Sequence, residues 1–190
     1  MKFAQTMCIA LLIVQTAARS ARAQESTATS RQIPSASSAG EKQRSERETR
    51  QRLEQLACGP EDVPLAHHTE KKPPPLPEQP PDKGLIYVVR NGSMVGAAIQ
   101  ARFAMDGKWV GVNRVSNYFY IEVSPGPHYF CAEANGRPGL LSLVIEKGTT
   151  YYLQQNLTMG GTDVDLIDAE KGKKYVAKYH RSSFEEKHKN

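Results

Sequence analysis

The chain has 190 residues, 25 Lys and Arg against 20 Asp and Glu, and 39% hydrophobic residues. That length suits one ordinary domain with tails, and the hydrophobic share lies below the roughly 45–50% of a typical globular chain, so part of it buries little. A multidomain enzyme, a polytopic membrane protein and a long coiled coil are excluded.

At the N-terminus, Lys2 is the only charge before the short apolar core Ala10-Leu11-Leu12-Ile13-Val14, and Ala21-Arg22-Ala23 has the small-x-small form of a cleavage site. This predicts a signal peptide over residues 1–23 and an exported protein, periplasmic or extracellular. Cys8 lies inside the apolar run without a Leu-x-small-Cys context, which argues against lipid attachment. The apolar stretch is short of the ~18 residues that a spanning helix needs, so no membrane span is expected after cleavage. Removing residues 1–23 takes Lys2, Arg19 and Arg22 and no acid, leaving 22 basic against 20 acidic residues. No clustered basic face interleaved with aromatics remains, and nucleic-acid binding is excluded.

Residues 24–57 read as a disordered or marginally helical arm. Gln24–Gly40 is rich in Ser, Thr, Ala and Gln, too polar to offset chain entropy by burial. Glu41–Ala57 carries i,i+4 pairs, Glu46/Arg50 and Glu48/Arg52, with only Leu53, Leu56 and Ala57 as an apolar edge. Residues 58–83 read as a Pro-rich linker. Pro73-Pro74-Pro75-Leu76-Pro77 and Pro80-Pro81 favour extended polyproline II, as a stiff spacer rather than a docking peptide.

From Gly84 the period becomes two. Leu85–Val89 is a β-rich run closed by Asn91-Gly92. Ile99, Phe103 and Met105 alternate with Gln100, Arg102 and Ala104, and Asp106-Gly107 signals a two-residue hairpin turn. Phe119, Ile121 and Val123 lie opposite Tyr118, Tyr120 and Glu122; Pro125-Gly126 marks the next reversal. Phe130 and Ala132 share one face, while Tyr129, Cys131 and Glu133 share the other. Leu141–Ile145, Thr149–Leu157 and Val164–Ile167 complete the set. The expected fold is all-β: a single antiparallel β-sandwich of about seven strands over residues 84–167. Residues 168–190 are expected to form a short helix, N-capped by Asp168, and a frayed polar tail from Arg181.

Asp106-Gly107-Lys108-Trp109-Val110-Gly111, Pro125-Gly126-Pro127-His128 and Lys147-Gly148-Thr149-Thr150-Tyr151-Tyr152 fall in order along this segment. Together they resemble a bacterial family of small exported β-sandwich domains of unknown function, whose members show a D-G-K-x-V-G hairpin, a P-G-x-H turn and an A-G-K-x-Y-Y turn. The resemblance covers residues 84 to about 180. It implies an exported sandwich and brings no activity, ligand or catalytic residue. Many relatives are lipoproteins, and this chain lacks a lipid-accepting cysteine after its signal.

After signal removal two cysteines remain, Cys58 and Cys131, an even number in an oxidising compartment. A disulfide between them, pinning the arm on the outside of the sandwich, is favoured over free thiols. A metal site from Cys58, His67, His68, His128 and Cys131 is disfavoured, because His128 and Cys131 are three apart on a strand and point to opposite faces. No Gly-x-Ser-x-Gly elbow or H-E-x-x-H helix occurs. Asp163 and Asp165 share a strand face beside a turn and read as edge solvation. Catalytic residues, metal and cofactors are all expected to be none, and the protein is not expected to be an enzyme. The sequons at Asn91 and Asn156 have meaning only in a glycosylating cell. The aromatic ligand contacts are expected at Trp109, Tyr118 and Tyr120, against the alternative that they pack the core or rim. The leading function is a structural or protein-interaction module of the bacterial envelope, its partner an envelope protein or glycan; the alternative is glycan or peptide binding through exposed aromatics.

Overall fold

A computed structural model describes residues 36–91 and 96–187. The proposed signal peptide, Cys8 and the first sequon's Gly92-Ser93 lie outside the described residues. In chain order the elements are α1 (Ala36–Ala57), β1 (Leu65–Thr69), β2 (Gly84–Arg90), β3 (Ala101–Met105), β4 (Lys108–Asn113), β5 (Asn117–Val123), β6 (Gly126–Glu133), β7 (Gly139–Ile145), β8 (Thr150–Thr158), β9 (Gly161–Ile167), α2 (Ala169–Lys178) and β10 (His180–Glu186). The strands make two sheets, one of order β1-β10-β5-β2-β8-β9 and one of order β4-β3-β6-β7.

The sheets share a core. Ile86, Val88, Phe119, Val123, Leu153 and Val164 of the larger sheet meet Phe103, Phe130, Ala132 and Ile145 of the smaller. These are the apolar positions of the period-two pattern, so alternation places them by turning every second side chain inward. Phe103 anchors the layer, with Phe119 packed edge-on at 5.9 Å and Phe130 at 6.0 Å. Gly111 leaves room for the Phe119 ring, which a Cβ there would strike.

β2 is buried at every position. Ile86 and Val88 face the inter-sheet core; Leu85, Tyr87 and Val89 face a second layer with Tyr118, Tyr152 and Val176 of α2. A continuous apolar run instead of an alternating one reports this double burial. The Asp106-Gly107 turn takes φ of 49° and 78°, the double positive φ of a type I′ hairpin. Asp168 caps α2 as expected, its Oδ1 accepting from the Lys171 amide at 2.8 Å.

Three expectations need correction. The sandwich is not purely antiparallel, since β2 pairs with β8 and β10 with β5 in parallel. Neither pair is joined by a hairpin, so no tight turn sets their direction. Residues 84–167 hold eight strands, and two more lie outside that segment. β1 sits inside the expected linker and β10 inside the expected frayed tail, paired with each other from Leu65↔Glu186 to Thr69↔Ser182. β10 is mostly polar and β1 offers only Leu65 and Ala66, so backbone pairing holds them where no apolar alternation announces a strand.

A buried polar link ties β10 to the body. Ser182 Oγ donates to Asn113 Oδ1 at 2.7 Å, and Asn113 Nδ2 donates to Gln155 Oε1 at 3.0 Å and to the Val88 carbonyl at 3.1 Å. Four strands from both sheets are thereby joined at one end of the sandwich. Arg90, also buried, donates to the carbonyls of Ile99, Asn113 and Gly96. Burial lowers its pKa. Among the described residues, no helix is long and apolar enough to cross a membrane.

Candidate functional site

The outer face of the smaller sheet carries Ala104, Trp109 and Cys131, the positions that alternation turns away from the inter-sheet core. α1 ends against this face. Ala57 is fully buried there, and the next residue, Cys58, is disulfide-bonded to Cys131 with Cα atoms 5.0 Å apart. The bridge closes a 73-residue separation, which by loop entropy contributes about 4 kcal/mol.

Beyond Cys58 the chain crosses the indole of Trp109 as a strap. A Cβ on Gly59 would approach the indole to 2.6 Å, so glycine permits the crossing. Trp109 Nε1 donates to the Pro60 carbonyl at 2.9 Å. The Arg102 guanidinium lies 4.3 Å from the indole ring centre, donates to Glu133 at 2.6 Å and reaches the Glu61 carbonyl at 3.3 Å. Cation–π contact and a charge-assisted hydrogen bond both favour arginine here over lysine. Further back, Arg50 donates to the Pro138 carbonyl at 2.6 Å instead of serving the expected pair with Glu46, and the i,i+4 pair in α1 is Arg44 with Glu48 at 3.0 Å.

Two grooves flank the strap. One of about 790 Å³ lies between Glu54, Cys58, Glu61 and Glu133; the other, about 480 Å³, lies between Glu61, Asp62, Arg102 and Glu133. With Arg102 engaged by Glu133, their lining is net acidic.

Of the expected aromatic contacts, Trp109 and Tyr118 are buried. Trp109 is 6% exposed and Tyr118 3% exposed. Trp109 is an anchor for the strap, and Tyr118 packs beside Tyr87 with ring centres 6.3 Å apart. Tyr120 is half-buried, with the Arg181 guanidinium 4.6 Å from its ring centre. Sequence reasoning put Trp109 beside a turn and could not see the cover arriving from Pro60, 49 residues earlier.

The other chemistry-bearing side chains are placed apart. His128 Nδ1 meets Asp106 Oδ2 at 2.6 Å and its Nε2 meets the Ser124 carbonyl at 2.8 Å, while Asp106 Oδ1 accepts from the Tyr129 amide at 2.9 Å. This arrangement braces the β3–β4 turn against β6. His67 and His68 lie in β1; His68 meets Glu185 at 2.7 Å, and burial first, then the charges of Arg114 and His68, lowers the His67 pKa. Asp163 and Asp165 are exposed on β9, and Asp165 accepts from Asn156 at 2.9 Å. Cys58 and Cys131 are brought together with each other and with none of these histidines or acids.

The Pro-rich segment is attached on both sides. Upstream, the Glu70 amide donates to the Arg181 carbonyl at 2.9 Å and the Glu70 carboxylate lies 3.6 Å from Arg181 Nε. Downstream, Gln79 Nε2 donates to the carbonyls of Pro80 at 3.0 Å and Lys83 at 3.1 Å, and Gln79 Oε1 accepts from the Thr150 hydroxyl. Between these anchors Lys71 to Leu76 are exposed. The expected linker is therefore a fixed excursion on the sandwich rather than a spacer between bodies.

No family model matches the chain, and no solved structure does. The chain is 27% identical over 104 residues to an uncharacterized protein of Haemophilus influenzae, a match covering 52% of this chain and 61% of that relative. The chain thus spans about three fifths of the length of that uncharacterized relative.

Proposed function

We propose that the protein is an exported, non-catalytic β-sandwich that acts in the bacterial envelope by holding a partner. The observation that carries this reading is the Cys58–Cys131 bridge, because a structural disulfide persists in an oxidising compartment and is rare in the cytosol. The charge and apolar pattern of residues 1–23 supports the same address. So does the resemblance of residues 84 to about 180 to small exported sandwich domains. A holding role is supported by where the chemistry-bearing groups are used: His128, Asp106, Arg102 and Trp109 brace turns and the strap.

Fractionation of cells expressing the full chain tests the reading. The expected result is protein in the periplasmic or extracellular fraction, starting near Gln24, with both cysteines resisting alkylation until reduced. Intact chain retained in the cytoplasm with reactive thiols overturns the address. Turnover abolished by a single His or acidic substitution overturns the non-catalytic role.

A further inference from the structure

The inference concerns the exposed excursion between β1 and β2, and it rests on the holding role proposed above. Pro73, Pro74, Pro75 and Pro77 each have φ locked by the ring, and Pro73, Pro74 and Leu76 each precede a proline and are held extended. Pro73–Pro77 therefore favours polyproline II, and the chain bends into it at Lys71 and Lys72. That helix has three residues per turn, which aligns Pro74 and Pro77 along one edge, with Lys71 and Lys72 at the bend just before it. The spacing is basic-x-x-Pro-x-x-Pro, the pattern that polyproline-binding grooves read: two prolines seat between aromatic rings and the basic residue meets acids at the rim.

The surroundings make this a displayed ligand. Lys71, Lys72 and the three consecutive prolines are exposed, and Leu76, a large apolar side chain, is 50% exposed. Both ends are tied to the sandwich, by β1 with Glu70 on one side and by Gln79, which accepts from the Thr150 hydroxyl, on the other. A spacer gains nothing from being fastened at both ends to one body. A docking ridge does, since its conformational entropy is lost before the partner arrives. Two adjacent lysines at one end specify the complementary charge. Glu70 faces Arg181 instead of the ridge, and the exposed Glu78 follows Pro77, at the opposite end from the lysines.

We infer that Lys71–Pro77 is a preformed polyproline ridge that docks into an aromatic-lined, acid-rimmed groove on a partner protein. The test is a titration of the purified, oxidised chain with an SH3 domain of the class that binds basic-x-x-Pro-x-x-Pro peptides, followed by the emission of the groove tryptophan. The expected result is a saturable complex, weakened roughly tenfold or more by Pro74→Ala with Pro77→Ala, and weakened by Lys71→Glu and by added salt. Unchanged circular dichroism and Trp109 emission of the free variants would show that the sandwich is intact. Absence of a complex with the chain overturns the inference, whether or not the isolated 69–79 peptide binds. So does a complex indifferent to the three substitutions. Because the titration uses purified protein, its failure leaves the export reading standing, and cytoplasmic retention leaves the docking result standing.

Discussion

Both outer faces of the sandwich are covered by a helix, and they are covered by different physics. α2 follows β9 directly and lies on the larger sheet through apolar packing, with Val176 against Tyr87 and Tyr152, and Gly172 close enough to the Tyr152 ring that a Cβ would collide with it. α1 meets the smaller sheet only near its end: residues 39–49 are exposed, and the attachment comes from Arg50, Leu53, Ala57 and then the disulfide. A nearby segment docks at small loop-closure cost. One that must return across 73 residues gives up more entropy, and a covalent bond offsets it. Proximity in sequence decides which kind of attachment each face needs.

The contrast breaks most sharply at the bridge. Cys58→Ser is expected to destabilise the protein by about 4 kcal/mol in equilibrium denaturation, with a red shift of Trp109 emission as the strap leaves the indole. Because Trp109 is the single tryptophan, that emission reports the strap alone. Reductant should reproduce both changes in the native chain; an unshifted emission maximum would mean that the hydrogen bond to Pro60 holds the strap without the sulfur link. On the other face, Gly172→Leu should cost about 2 kcal/mol, because the collision with a packed aromatic ring outweighs the ~1 kcal/mol gained in helix propensity. Denaturation with and without reductant should give the same decrement, since the two faces share no partner.

The smallest effect is confined to alkaline pH. Burial, followed by the neighbouring Tyr152, Tyr118 and Tyr120, pushes the Tyr87 hydroxyl up to about 12 from the ordinary 10. Burial also raises Tyr118 and Tyr152. The unfolded chain then releases protons that the native layer retains, so this contribution is fully present below pH 10 and is lost as pH rises towards about 12. Tyr87→Phe should flatten that decline, as read from thermal midpoints across the interval. An equal slope in native chain and variant would assign the decline to other groups.

What could be read in the sequence was what depends on neighbours in sequence. A continuous apolar run located β2 and period-two patterning most of the strands after it, the Asp106-Gly107 pair located a hairpin by its positive φ, and Asp168 located a helix start by its side-chain acceptor. Cys58 and Cys131 were legible by a different route, since they are the two cysteines that follow the proposed signal peptide. β1 and β10 were not legible. His180–Glu186 has no apolar face to betray it, and its strand exists because β1 supplies backbone partners and Ser182 reaches Asn113. Trp109 was half legible: alternation puts it with Ala104 and Cys131 on the outer face, but whether that face is bare depends on a strap far away in the chain.

The residue order by itself determined the β class, the turns, the cap and the extended course of Pro73–Pro77, because each follows from local dihedral restriction and side-chain alternation. Tertiary structure alone decided the parallel pairings, the burial of Trp109 and the fastening of the proline segment at both ends. Those depend on groups tens of residues apart meeting in space, and no local preference encodes that meeting.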